Sequence, residues 1–351
     1  MVKREQEGRW GVRRVFVNGF GVIGRRVAEA ISRQSDMELI GVGKTKPDYK
    51  ARLAVSKGYR VYVPSEKEAQ SFASQGIEVA GLTADAVRAA DVTIDATSDG
   101  TGAKNLAIYR ELGRPAIFQG GEEPEVGEVS FVSECNYDEA RGKRYVRVVS
   151  CNTTGLCRVI NALVRGVGLT SARVVIARRA ADPEEVSKGP INAVVLDPVE
   201  VPSHHAEDVR TVIKGFDIVT MAMKVPNTQV HIHSFIGRIQ HGSVTRDQVI
   251  EALASSRRIL LLESKLGFKS TASLIELARE AGRPRGDLYE VVVWRDSISV
   301  SGNEVMFFMG VHQEAIVVPE NVDAVRALLT DVSQRESSSM TDSSLGIPLK
   351  L

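Results

Sequence analysis

Arg14-Val15-Phe16-Val17-Asn18, Gly19-Phe20-Gly21-Val22-Ile23-Gly24 and the run Arg25 to Ser32 set a strand pattern, a G-x-G-x-x-G turn and a helical pattern in direct succession. Few folds accept that order. Gly19 permits the tight turn, Gly21 lets a pyrophosphate approach the backbone, and Gly24 lets helix and strand pack closely. The chain therefore opens as the first unit of a dinucleotide-binding α/β domain. The competing reading is a glycine-rich turn with no ligand.

The next strand pattern, Glu38 to Gly43, ends where an acidic residue would grip the ribose 2′-hydroxyl of NAD. Lys44-Thr45-Lys46-Pro47-Asp48 stands there instead. Two cations and a hydroxyl suit a 2′-phosphate, so NADP is expected to be accepted alongside NAD, although Asp48 could still reach a ribose. Further strand patterns follow at Gly58 to Val63, Asp91 to Thr97, Pro115 to Gly121 and Tyr145 to Val149. Alternation with helices predicts a Rossmann-type, doubly wound parallel sheet. Ligands in such sheets lie at the carboxyl ends of strands, which puts Thr97-Ser98, Gln119-Gly120-Gly121 and Cys151 along one edge with the glycine loop.

Cys151 follows the last of those strands and precedes the helical pattern Leu156 to Val167. At a strand-to-helix turn the free N–H groups and the helix dipole favour thiolate, lowering a thiol pKa otherwise near about 8.5. Asn152, Thr153 and Thr154 can cap the first turn and leave donors free for an oxyanion. A nucleophile of this kind needs a base or cation beside it. The six histidines all lie beyond it: His204, His205, His231, His233, His241 and His312. His231 and His233 are two apart on a strand pattern and share a face. A metal reading of these pairs lacks an acidic ligand at helical spacing, so no metal is expected. Arg178-Arg179 could clamp a phosphate. Cys135, Cys157, His241 and His312 read as packing residues.

Beyond Cys151 the character changes. Ala172 to Arg178, Asp217 to Lys224, Gln229 to Ile239, Tyr289 to Trp294 and Val305 to Gln313 are long β-like runs, the pattern of an α+β domain with a mixed or antiparallel sheet. The polar segment Arg179 to His205 is too long for a mere connection. The expected organisation is an N-terminal tail (1–12), an NAD(P)-binding domain (13–150), a catalytic domain (151–312), a C-terminal segment (313–332) with a short amphipathic helix at Val322 to Leu329, and a polar tail (333–351). The Ser-rich stretch Ser333 to Ser344 reads as disordered. The 351 residues suit two domains. A net charge of +1 points away from nucleic acid, and no apolar run reaches membrane-spanning length. Three cysteines argue for a reducing, cytoplasmic setting.

Taken together, Asn18 to Gly24, Lys44 to Asp48, Ser150 to Arg158, Arg178 to Pro183, Val201 to His205 and Val311 to Glu314 resemble the archaeal type of phosphorylating glyceraldehyde-3-phosphate dehydrogenase. The likeness runs from about Val15 to Leu329. It implies that Cys151 is the nucleophile and His231 its base, with His233 the substitute. It further implies that Val22, Ile23, Gly121, Arg179 and Gln313 contact the cofactor, and that Ser150, Asn152, His204 and His205 contact the substrate. Glyceraldehyde 3-phosphate would be oxidised to 1,3-bisphosphoglycerate with inorganic phosphate, in a homotetramer whose loop 179–205 lies near a neighbour's cofactor site. Gly43 and Val22 depart from the family pattern. Two other readings are a related thioester-forming enzyme, such as aspartate-semialdehyde dehydrogenase, and a dinucleotide sensor that no longer catalyses.

Overall fold

The computed structural model describes residues 11–119, 121–182, 184–240 and 244–350. The chain divides into two compact units, one of residues 11–150 with 318–345, the other of residues 151–317 with 346–350.

In the first unit, β1 (Arg13–Asn18), α1 (Val22–Ser32), β2 (Met37–Gly43), α2 (Tyr49–Ser56), β3 (Val61–Val63), α3 (Glu66–Ser74), β4 (Gly81–Leu82), α4 (Thr83–Ala89), β5 (Val92–Asp95), α5 (Thr101–Glu111) and β6 (Ala116–Gln119) alternate. Then come β7 (Val129–Phe131), the short α6 (Ser133–Asn136) and β8 (Tyr145–Val148). The eight strands form one parallel sheet in the order β4-β3-β2-β1-β5-β6-β8-β7, the doubly wound arrangement expected. The order reverses beside β1, and the glycine loop leaves the sheet there. Val15, Phe16 and Val17 are fully buried, as are Val92, Ile94, Ile117 and Phe118 on neighbouring strands. A sheet covered on both faces needs such continuous apolar runs.

The second unit holds α7 (Cys151–Val167), β9 (Leu169–Arg179), β10 (Val195–Leu196), α8 (His204–Val212), β11 (Asp217–Val225), β12 (Val230–Ile239), α9 (Arg246–Ala254), β13 (Ile259–Leu262), α10 (Thr271–Glu280), β14 (Val291–Trp294), β15 (Ser299–Ser301) and β16 (Glu304–His312). Its mixed sheet runs β10-β11-β9-β12-β16-β14-β13, with β15 paired to β16. The strands β12 and β9 are antiparallel, whereas β9 and β11 are parallel. A site built on β12 therefore rests on a strand hydrogen-bonded on both sides. Helices α9 and α10 interrupt what the β-like runs alone presented as nearly continuous sheet.

Two helices close the chain, α11 (Val318–Leu329) and α12 (Gln334–Leu345). The expected amphipathic helix is longer and buried on all sides from Val318 to Ala327. The Ser-rich stretch expected to be disordered is α12, with Ser337, Thr341, Asp342 and Leu345 buried. Its polar residues serve other polar residues. Arg326 of α11, 1% exposed, pairs with Asp36 at 2.7 Å and donates to Thr341 Oγ1 at 2.7 Å, while Ser337 and Thr341 donate to Asp323 at 2.7 and 2.6 Å. Buried ions keep such partners because desolvation otherwise penalises them heavily.

Candidate active site

Cys151 begins α7 rather than preceding it, so Asn152, Thr153 and Thr154 lie inside the first turn and are not caps. Two features hold that turn in place. A Cβ on Gly155 would meet Val311 Cγ2 at 2.6 Å, so only glycine lets α7 lie this close to β16. Arg158, fully buried, donates to the carbonyls of Tyr289 and Ile316 at 2.7 and 3.0 Å. The cysteine is thereby fixed against the sheet.

On β12, His231 brings Nε2 to 3.6 Å from Cys151 Sγ. His233, one pleat further, faces Asn152 instead, with Nε2 2.9 Å from Asn152 Oδ1. The main-chain N–H of Arg179 donates to His231 Nδ1 at 2.8 Å. Asn152 Nδ2 donates to His205 Nε2 at 3.2 Å, and His205 Nδ1 lies 3.1 Å from Ser203 Oγ, which contacts Thr220 Oγ1 at 2.7 Å. Asn152 thus ties two buried histidines to the first turn of α7. His204 is exposed and stacks on His205 with ring centroids 3.9 Å apart, and Ser150 is partly exposed. Of the four residues expected to touch substrate, Ser150 and His204 present surface, whereas Asn152 and His205 are nearly fully buried.

The electrostatics differ from the expectation of a ready thiolate. Burial pushes the Cys151 thiol up to about 11, against the opposing pull of Arg178, Arg179 and the Asn152 N–H. Burial likewise carries His231 well below its ordinary value, with the charges of Arg179, His233 and Arg178 adding to the effect. Burial lowers His233 to about 3. Both shifts run toward the neutral thiol and the neutral imidazole, with desolvation opposing the helix terminus.

Arg179 is held by its own neighbours. Its side chain is 1% exposed; Nε donates to Gln313 Oε1 at 2.8 Å, one terminal nitrogen donates to the Ala181 carbonyl at 2.9 Å, and the other pairs with Asp182 and with Glu314 at 3.1 Å. No nitrogen of this guanidinium is left to clamp a phosphate, and Arg179 and Gln313 hold each other. Arg178 pairs with Asp197 while its buried Nε has no partner among the described residues. The roles of Asp182, Glu314, Ser203 and Thr220 escaped sequence reasoning. Asp182, Glu314 and Ser203 stand in the motifs and Thr220 in a β-like run, but only the fold brings them to Arg179 and His205. His241 lies outside the described residues, as does Gly120. His312 is buried and accepts the Leu288 N–H at 3.0 Å.

The glycine loop has the shape a pyrophosphate requires. Gly19 has φ +105°, and a Cβ there would meet Ala96 O at 2.6 Å; a Cβ on Gly24 would meet Gly19 O at 1.8 Å; around Gly21 a Cβ would meet nothing within 4 Å. Gly21 is also the N-cap of α1, and no side chain caps that end. Free N–H groups of Val22, Ile23 and their neighbours over an open backbone form an anion cradle. At the end of β2, Lys44 Nζ pairs with Asp48 at 2.9 Å, and Asp48 also accepts the N–H groups of Lys50 and Ala51 as the cap of α2. Asp48 is therefore committed away from a ribose, while Thr45 and Lys46 are exposed. A Cβ on Gly43 would meet Asn18 Oδ1 at 2.4 Å, so the departure at Gly43 goes with the placement of Asn18. Gly121 is exposed, beside Asp99.

Comparison with known proteins agrees with this construction. A glyceraldehyde-3-phosphate dehydrogenase of Pyrobaculum arsenaticum is 53% identical over 334 residues, 95% of this chain and 96% of that protein. The chain belongs to the glyceraldehyde-3-phosphate dehydrogenase family. Members from Metallosphaera sedula and Hyperthermus butylicus are 52% and 51% identical, each over 95% of this chain, covering 98% and 97% of their own lengths. Residues 150–297 match the family described as glyceraldehyde 3-phosphate dehydrogenase, C-terminal domain. Residues 13–120 match dihydrodipicolinate reductase, N-terminus. A family member with this glycine loop is an oxidoreductase using a nicotinamide dinucleotide. Among the described residues, no helix is long and apolar enough to cross a membrane.

Proposed function

We propose that the protein oxidises glyceraldehyde 3-phosphate to 1,3-bisphosphoglycerate, with inorganic phosphate as the second substrate and Cys151 as the nucleophile. The observation that carries this reading is the 3.6 Å approach of Cys151 Sγ to His231 Nε2 at the first turn of α7. When bound, the nicotinamide supplies a hydride acceptor. The chain's own residues do the rest. Cys151 forms a hemithioacetal with the aldehyde and, after hydride loss, holds the acyl group as a thioester that phosphate cleaves. His231 faces the reacting sulfur and His233, through Asn152, braces the turn that carries it. Arg178, whose buried Nε has no partner among the described residues, and the exposed His204 suit the anionic ends of the substrates.

The open backbone at Gly21 and the first N–H groups of α1 suit the pyrophosphate, and exposed Lys46 and Thr45 beside Lys44 favour acceptance of NADP as well as NAD. Exposed apolar residues crowd the loop between β9 and α8: Ile191, Val194, Val195, Leu196, Val199 and Val201. That surface supports a homotetramer in which the loop meets a neighbour. Three free cysteines support a cytoplasmic setting.

The test is absorbance of reduced nicotinamide with glyceraldehyde 3-phosphate, comparing NADP with NAD and phosphate with none. Phosphate-dependent reduction is expected; reduction indifferent to phosphate would make the enzyme a hydrolysing relative. Cys151→Ser should abolish turnover and leave cofactor binding intact, and substantial residual activity in that variant would remove Cys151 from the mechanism.

A further inference from the structure

The acid that would grip a ribose at the end of β2 is missing, and Asp48 is committed to Lys44 and to the cap of α2. A hydrogen-bond acceptor stands there all the same. Asn18 ends β1, the strand paired with β2, and a Cβ on Gly43 would lie 2.4 Å from Asn18 Oδ1. The amide oxygen therefore rests against the last residue of β2, at the carboxyl strand ends where such a sheet receives its ligand. Asn18 is half-buried, and no group among the described residues donates to its Oδ1.

A chain of buried donors decides which way that amide faces. Asp95, 2% exposed, ends β5 on the other side of β1 and has no cation beside it among the described residues. Four donors surround its carboxylate instead: the Thr97 N–H at 3.1 Å and hydroxyl at 2.5 Å on Oδ1, and Asn105 Nδ2 at 2.8 Å and the Tyr109 hydroxyl at 2.6 Å on Oδ2. Tyr109 thus spends its one proton on Asp95. Its oxygen can only accept, so Asn18 must present Nδ2, 2.9 Å away, and turn Oδ1 toward Gly43. The reversed amide would set two oxygens together with no proton between them. Tyr109 is 1% exposed and its ring lies against Phe118, with centroids 5.9 Å apart. Burial, with Asp95 beside it, raises Tyr109 well above its ordinary value, which keeps the phenol proton in place.

We infer, on the reading that the glycine loop holds NAD or NADP, that Asn18 Oδ1 accepts the 3′-hydroxyl of the adenosine ribose, and that Tyr109 and Asp95 are positioning residues that fix its orientation. The 3′-hydroxyl is the one hydroxyl of that ring that both dinucleotides share, since NADP carries its phosphate at the 2′ position. A carboxylate at this strand end would repel that phosphate. An uncharged amide oxygen accepts the hydroxyl without doing so, and the 2′ position is left to Thr45 and Lys46. One residue thereby serves both cofactors.

The experiment is calorimetric titration of the cofactor-free protein with NAD, NADP and an NAD analogue whose adenosine ribose lacks the 3′-hydroxyl. The parent should bind NAD about three- to tenfold more tightly than the 3′-deoxy analogue, the worth of one hydrogen bond. Asn18→Ala should weaken NAD and NADP alike by that factor and abolish the discrimination, with the Kd of the analogue unchanged within about twofold. Tyr109→Phe should act in the same direction through the freed amide, and a thermal melt of each variant without cofactor reads its effect on the fold separately. A general loss of structure would weaken the analogue as much as NAD; that pattern in both variants, equal affinity of the parent for NAD and the analogue, or weakening of NAD alone would overturn the inference. A parent protein that binds neither dinucleotide would remove the functional reading instead.

Discussion

Replacing Gly21 by alanine separates what the glycine loop does for the fold from what it does for the cofactor. Gly21 has φ −85° and ψ −154°, a conformation open to any residue, and a Cβ there meets no protein atom within 4 Å. Two small effects on the free protein oppose each other. Alanine reduces the freedom of the unfolded chain, worth about 0.4–1 kcal/mol, and is a poorer N-cap than glycine by a similar amount. The melting temperature of the cofactor-free protein should therefore move by no more than about 3 °C. With the cofactor the added methyl lies where the pyrophosphate meets the backbone. An overpacked contact costs about 1–3 kcal/mol, or roughly a five- to 150-fold rise in Kd. Calorimetric titration of the variant with NADP and NAD, next to a thermal melt without cofactor, measures both quantities. Unchanged affinity for both dinucleotides would refute the assignment of Gly21 as the point of approach. Gly24→Ala is the contrasting control: its Cβ would lie 1.8 Å from Gly19 O, so the free protein itself should be destabilised.

Three other perturbations follow from the structure. Since Cys151 is pushed up to about 11, its alkylation by iodoacetamide in the cofactor-free protein should rise about tenfold per pH unit from pH 7 to 10, and a plateau near about 8.5 would contradict the buried thiol. Asp48→Ala should release Lys44 and remove the cap of α2, lowering stability by about 1 kcal/mol while raising the ratio of NADP to NAD efficiency; steady-state kinetics with both cofactors and a urea melt check the two halves. Arg326→Leu should destabilise the protein by about 3–5 kcal/mol in denaturant unfolding, because it leaves Asp36 and Asp323 buried without their cation.

The dinucleotide-binding sheet was legible because its signals are local: a glycine spacing and apolar runs that need only neighbouring residues to be interpreted. The pairing of Cys151 with His231 was legible in kind, from strand periodicity and from resemblance, although residues 80 apart in sequence gave no distance. Depth was not legible. Helix position argued for a thiolate at Cys151, while the burial that reverses the balance comes from strands far along the chain. The Ser-rich end misled for a related reason. Ser337 and Thr341 look like solvent-facing residues until Arg326 and Asp323 supply the buried charges they satisfy. Arg179 looked like a ligand clamp because sequence shows a guanidinium and not the four groups that already hold it.

The return of α11 and α12 to the first unit has a consequence for how the chain is made. The parallel sheet is complete in sequence by residue 148, yet the helix buried on all sides within the same unit begins only at residue 318. At translation speeds of about 5–20 residues per second, the intervening residues 151–317 take roughly 10–30 s to emerge. Throughout that interval the nascent sheet carries an uncovered apolar face while the whole second unit is synthesised. The unit begun first is thus finished only after the second has been made, and the dinucleotide-binding half cannot close until residues 318–345 have emerged.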